Sequence, residues 1–383
     1  MSVDTLIAGG AIATHESIFE ASIAIDDGKI VGIGTASAMP EASTSIDARE
    51  KIVMPGVVDP HVHIDETDMQ VGTYESETEA AALGGVTTVI DFAWQDGLYV
   101  RELDQGATLR ESIDVKRQRG EQGIIDFSFH GALTREEQSP RDEIDAALEA
   151  GVTSFKLFLA EYDGTGISRG FVDAEFRHLG EIGAVAVVHS EDPTTCARLT
   201  ETAKKENRDN PTEFPATRPA YAEAMAVESV ARLAGEWGVK YYNVHTSSHE
   251  AAAVLAQAQE AGIQARGETC PHYLVFDKSA YEEQGNLVLI TPPLRTREDV
   301  SSLYDCLEND VLSTIGTDHC VYTKDSKTGS WWDSPRGANG IQESLALVHH
   351  EAVNRRGFSY PGSRQHDEQE PSKNVRNATE RDP

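Results

Sequence analysis

Eight short strand-like runs, most of them apolar and separated by stretches with helical texture, constrain the fold of this chain more than any other feature. The runs are residues 57–64, 87–93, 126–132, 154–160, 184–189, 241–246, 264–269 and 312–317. Helical stretches at 76–83, 141–150, 221–237, 250–261 and 297–308 lie between them. Strands of a parallel sheet are buried on both faces, so they read as continuous apolar runs, and their crossovers are helices. Eight strands with intervening helices suit a (β/α)8 TIM barrel. A doubly wound sheet can also hold eight, so the count alone does not decide, and no internal repeat is visible. Residues 1–52 differ in texture. Alternating strands at 5–8, 18–25, 29–33 and 45–48 are broken by Gly9-Gly10 and by the Asp26-Asp27-Gly28 turn, which predicts a small β unit ahead of the barrel.

Charge narrows the partners. The 383 residues carry 64 Asp plus Glu against 33 Lys plus Arg, a formal charge of -31. Such a surface repels phosphate backbones and anionic headgroups, which argues against nucleic acid and membrane and for a small-molecule substrate. Only 11 of the 33 basic residues are Lys, and the acidic excess is spread along the chain. That pattern fits a halophilic surface, with an acidic mesophilic enzyme as the alternative. Cys196, Cys270, Cys306 and Cys320 show no CxxC spacing, the start shows no signal peptide, and no run of about 18 apolar residues exists. Reduced thiols in a cytoplasmic setting are the expectation.

Polar groups punctuate the apolar strands at their C-terminal ends. His61 and His63 stand in PGVVDPHVHID, where positions i and i+2 share a strand face and both rings can reach one cation. An isolated HxH is weak evidence. His189 ends AVAVVHSED, His245 ends YYNVHTSS, and Asp318 follows LSTIGTDH. Any one of these is more readily a hydrogen-bonded core residue. Four histidines and an aspartate at the strand ends where barrel active sites are built point instead to a metal site.

Lys156 is the most diagnostic residue, set among Phe155, Leu157, Phe158 and Leu159. An ammonium facing a barrel interior costs several kcal/mol unless it is paired or modified. Burial lowers its pKa and makes a nucleophilic amine, to which carbon dioxide adds to give a carbamate able to bridge two metals. The alternative is a Lys whose head reaches the rim by snorkelling.

The segments DPHVHID, GGVTTVIDF, GVTSFKLFLA, VHSED, ETCPHYL, TPPLR, IGTDH and PRGANGI, in this order, resemble the dihydropyrimidinase and hydantoinase branch of the amidohydrolase superfamily. The resemblance runs from about residue 4 to 358. It implies a (β/α)8 barrel beside a small β-sandwich formed by both chain ends. It also implies two divalent ions, most simply Zn2+. His61, His63, Lys156 and Asp318 would hold one, and Lys156 as N6-carboxylysine, His189 and His245 the other. The implied reaction is hydrolysis of the ring amide of a cyclic ureide or imide, a dihydropyrimidine or hydantoin as in pyrimidine catabolism, by a metal-bridging hydroxide. Asp318 would be the catalytic proton carrier, and Thr291 and Asn339 would hold the imide edge. Homo-oligomers, tetramers or dimers, are the family habit.

Two departures stand out. Relatives place a tyrosine directly after the Ala that follows the carboxylated strand, whereas this chain reads Leu159-Ala160-Glu161-Tyr162, so the oxyanion role falls on a displaced Tyr162. ETCPHYL, with His272, also resembles allantoinases, which keeps an allantoinase or dihydroorotase-like activity open; the carboxylate of dihydroorotate needs an Arg clamp, to which no residue is assigned. The second departure is the tail. Residues 359–383 are polar and without apolar periodicity, as in a disordered segment. A permissible set of codons for 367–383, read one nucleotide on, encodes MSRNPAKTFGMPQRGT, which carries the NPA…FG motif of relatives. The expectation is a frameshift across 360–383, a β unit at 1–52 short of its sandwich partners, a barrel at 53–358, and doubtful oligomerisation. An inactive truncated product is one alternative. A non-catalytic scaffold is another, disfavoured because all six ligand types are present.

Overall fold

The computed structural model of the chain describes residues 2–66, 71–136, 140–160, 165–359 and 373–374. Two compact units are present, Met1–Gly56 with His350–Pro383, and Val57–His349.

The first unit carries β1 (Val3–Ala13), β2 (Ile18–Asp26), β3 (Lys29–Gly34), β4 (Ala42–Asp47) and β5 (Ile52–Val53). They form a mixed sheet in the order β3-β2-β1-β4, with β5 also beside β1. The β2–β3 hairpin turns on Asp27 and Gly28, at φ 50° and 69°, as a two-residue loop with positive φ at both positions requires. Gly9-Gly10 does not end a strand as expected. β1 runs through it with a bulge between Ile7 and Gly10, because Gly9 takes a φ of 72° without strain. Gly10 admits no side chain, since a Cβ there would lie 2.6 Å from Val53 Cγ2. Of the expected tail at 360–383, only Lys373–Asn374 falls within the described residues, paired in parallel with Phe358–Ser359; the rest lies outside them.

The second unit is the (β/α)8 barrel. Its strands are β6 (Val57–Asp59), β7 (Val86–Trp94), β8 (Asp126–Ala132), β9 (Ser154–Phe158), β10 (Val185–His189), β11 (Lys240–Asn243), β12 (Ala265–Thr269) and β13 (Leu312–Ile315). Each pairs in parallel with the next. The ring closes at its rim. Beyond β13, Thr317 donates from N (3.0 Å) and Oγ1 (2.5 Å) to the Asp59 carboxylate, and His319–Cys320 pairs in parallel with Val62–His63. The expected first strand, 57–64, is interrupted at Pro60-His61. Pro60 has no N–H for a ladder, and its carbonyl accepts from His130 Nε2 at 2.9 Å.

Several of the helices that cover the barrel begin at a capping residue. Thr73 and Thr296 each close a reciprocal capping box, at the starts of Tyr74–Leu83 and Arg297–Glu308. Ile113, Ala147, Leu179, Val227, Leu255 and Leu303 are fully buried from six different helices. The larger of these side chains stabilise the fold by about 1.5–3 kcal/mol each. Among the described residues no helix is long and apolar enough to cross a membrane.

Candidate metal centre

The closing rim gathers the predicted ligands. His61 and His63 follow β6, Lys156 is mid-β9, His189 ends β10, His245 lies two residues past β11, and Asp318 three past β13. All six line one cleft of about 250 Å3. His245 and Asp318 hold φ of 40° and 50°, a left-handed conformation that non-glycine residues rarely adopt. Such backbone persists where the surroundings over-determine it, as they do at functional sites.

Two clusters face the cleft. In the first, His61 Nε2 and His63 Nε2 are each 3.1 Å from Asp318 Oδ1. These three donors lie within 4.8 Å of one another, close enough to bind one ion. In the second, His189 Nδ1 and His245 Nε2 are 2.9 Å apart. The ring centroids of His61 and His245 are 5.5 Å apart, so the clusters are neighbours. Lys156 is 1% exposed, its Nζ 4.7 Å from the Phe158 ring centroid and 5.2 Å from that of Phe92. The snorkelling alternative therefore fails, for the ammonium ends inside the barrel.

Three of the four histidines are held from behind by a carboxylate that the sequence reading did not single out. His61 Nδ1 meets Glu268 Oε1 at 2.8 Å, His63 Nδ1 meets Glu66 Oε2 at 2.9 Å, and His189 Nε2 meets Glu191 Oε2 at 2.9 Å. A carboxylate at one ring nitrogen keeps the proton there and leaves the other nitrogen's lone pair for a cation. Glu66 also accepts from Trp94 Nε1 (2.7 Å) and faces Lys116, whose Nζ lies 2.7 Å from Asp91. The signal for Glu66 and Glu191 was an acid two or three positions after a rim histidine. Glu268 had none, because strand register alone sets it behind His61.

The electrostatics divide the clusters. Burial opposes charge on the His63 ring, but Glu66 and Asp318 outweigh it and push the pKa up to about 10. Burial likewise opposes ionisation of Asp318, yet His61 and His63 hold its carboxyl well below the usual range. The first cluster thus favours positive charge. Burial, with Lys156 adding repulsion, lowers both His189 and His245, which keeps those imidazoles neutral. Burial also brings Lys156 down to about 8, against the pull of Asp318 and Glu268.

This donor set fits divalent metal. His245 Nδ1 is buried without a hydrogen-bond partner among the described residues, an arrangement costly for a polar atom unless something else engages it. Imidazole with carboxylate oxygen is a combination that binds first-row divalent ions.

Residues 52–360 match the sequence profile described as the amidohydrolase family. The chain belongs to that family. It is 32% identical over 371 residues to an allantoinase of Salmonella choleraesuis, covering 94% of this chain and 79% of that protein. Among solved structures, a dihydropyrimidinase from Brevibacillus agri NCHU1002 superposes with a TM-score of 0.86 at 28% identity, over 92% of this chain and 77% of that one. An L-hydantoinase from Arthrobacter aurescens gives 0.84 at 29%, over 92% and 78%.

Thr291 lines the cleft, its Oγ1 buried and without a hydrogen bond. Asn339 is exposed and is not among the lining residues. The Gly340 and Ile341 amides beside it donate to His319 Nδ1, at 3.1 and 3.3 Å. Tyr162 lies outside the described residues. Trp94, Tyr99 and Phe158 line one part of the cleft, and Tyr322, Trp332 and Arg336 also contribute to its walls.

Proposed function

We propose that this amidohydrolase opens the ring amide of a cyclic ureide or imide of the dihydropyrimidine or hydantoin type. The observation that carries the reading is the convergence of four histidines, Asp318 and a fully buried Lys156 on one cleft of small-molecule size.

His61, His63 and Asp318 would hold one divalent ion and His189 and His245 a second, with Lys156 shared as its carbamate. Bound ions supply Lewis acidity, polarising the ring carbonyl and acidifying water. The chain's own residues do the rest. The Lys156 ammonium first gives up one proton, and the neutral amine then attacks carbon dioxide, forming an N–C bond as one C=O π bond opens and releasing a second proton, so that two protons leave and a buried cation becomes an anion. Asp318, kept ionised by its two histidines, takes a proton from the attacking water and returns it to the leaving ring nitrogen. Thr291 holds the imide edge, and Trp94, Tyr99 and Phe158 keep bulk water from the face they cover.

A second reading, an allantoinase, draws on the curated relatives and on ETCPHYL. Allantoin is itself a hydantoin with a ureido substituent, so the ring chemistry is shared and the exocyclic group discriminates. Zinc-loaded protein should be assayed against dihydrouracil, hydantoin, allantoin and dihydroorotate, with elemental analysis alongside. Two metals per chain and turnover of the first two rings are expected. Turnover of allantoin alone selects the second reading, and a fully loaded, active protein with one metal overturns the binuclear site.

A further inference from the structure

Arg295 stands four residues after Thr291 and is 7% exposed. Its guanidinium donates from Nε to Ser247 Oγ (2.9 Å), from Nη2 to Glu223 Oε2 (3.1 Å) and from Nη1 to the Arg218 carbonyl. Glu223, from the helix Ala220–Trp237, also accepts from Ser247 N (2.8 Å) and Oγ (2.6 Å). Ser247 lies two residues beyond His245. The Arg218 side chain in turn bonds Glu191, which holds His189 Nε2. One planar fork therefore touches the segment behind His245 and the segment that braces His189, while its own chain leads back to Thr291.

Stability alone is a poor reason for this arrangement. Two guanidinium groups and two carboxylates are all at least nine-tenths buried here. Apolar replacement of such groups is often neutral or stabilising, so their directionality is what the fold uses. A lysine could keep the charge but not the three-way geometry.

We propose that Arg295 is a positioning residue that fixes the Thr291 loop against the His189–His245 pair, so that the substrate-edge contact and the second metal cluster move as one unit. This rests on the cyclic-amidohydrolase reading above.

The test compares wild type with Arg295→Lys and Ser247→Ala by zinc retained after dialysis against a weak chelator, without substrate, and then by KM and kcat on the ring the wild type hydrolyses. Arg295→Lys should retain close to one zinc where the wild type retains two, with affinity at the second cluster down about 10- to 100-fold. Added zinc should restore kcat while KM stays raised. Ser247→Ala should move both quantities the same way by less, and it decides the matter if Arg295→Lys does not fold. A lowered melting temperature with wild-type zinc retention and KM would make Arg295 merely structural and overturn the proposal. A wild type that holds two zinc ions but opens no ring sinks the substrate reading, whereas zinc retention still decides the role of Arg295.

Discussion

His61 Nδ1 and Glu268 Oε1 are 2.8 Å apart with both side chains shut away from solvent, and the same Glu268 oxygen accepts the His245 amide at 3.0 Å. One carboxylate thereby orients a histidine of the first cluster and the backbone of a histidine of the second. Tyr242 OH, 2.7 Å from Oε2, leaves it little freedom. Glu268→Gln can keep the shape but cannot accept a hydrogen bond from every neighbour, because its amide nitrogen only donates. Zinc affinity should fall about 10- to 100-fold, as loss of a carboxylate behind a ligating histidine does. Competition with a chromogenic chelator measures it; unchanged affinity would show that the His61 tautomer needs no carboxylate.

Lys156→Ala should abolish turnover and lower the metal content, since it deletes the one group that both clusters would share. The cavity it leaves has Phe92 and Phe158 beside it. A short carboxylic acid can enter there and supply the missing oxygens, so acetate or propionate should restore part of the rate. Wild-type metal content and rate in the variant would make Lys156 structural.

How much of this was legible beforehand follows from where the information sits. Most of the barrel strands were readable because strands buried on both faces are largely apolar, and β8 (Asp126–Ala132) occurs at its expected bounds. The six cleft groups were readable because several polar residues recur at the ends of successive strands and a lysine interrupts one apolar run, a pattern that no one of them makes alone. Pro60 was visible, but its carbonyl's use by His130, 70 residues away, was not, so the strand break went unread. Glu268 and Arg295 were illegible for the same reason. Each acts on residues distant in sequence, through register and helix packing that local pattern does not encode.

The edge strand β3 leaves Ile30, Val31 and Ile33 exposed at 62%, 57% and 51%. An apolar edge with unpaired backbone groups is a template for association. Val31→Lys should lower light scattering on heating and leave hydrolysis unchanged, since the cleft groups belong to the other unit. Unaltered aggregation would show that some other surface drives it.

Glu175 offers a test of pH dependence away from the metal ligands. It lies on the helix Arg169–Ile182, is 5% exposed, and has a buried Oε2 with no hydrogen-bond partner among the described residues. Burial raises its pKa to about 7, with Arg141 pulling weakly the other way. For a carboxyl raised above its unfolded value of 4.5, the unfolded chain releases the proton first as pH rises. The contribution to stability is whole below 4.5, shrinks between 4.5 and 7, and is gone above 7, where a buried anion persists without compensation. Glu175→Gln mimics the protonated group at every pH. Its melting temperature should match the wild type near pH 4.5 and exceed it by about 2 °C at pH 8, the scale of a change near 1 kcal/mol in a large domain. An equal gain at both pH values would mean that amide packing, and not the charge, accounts for it.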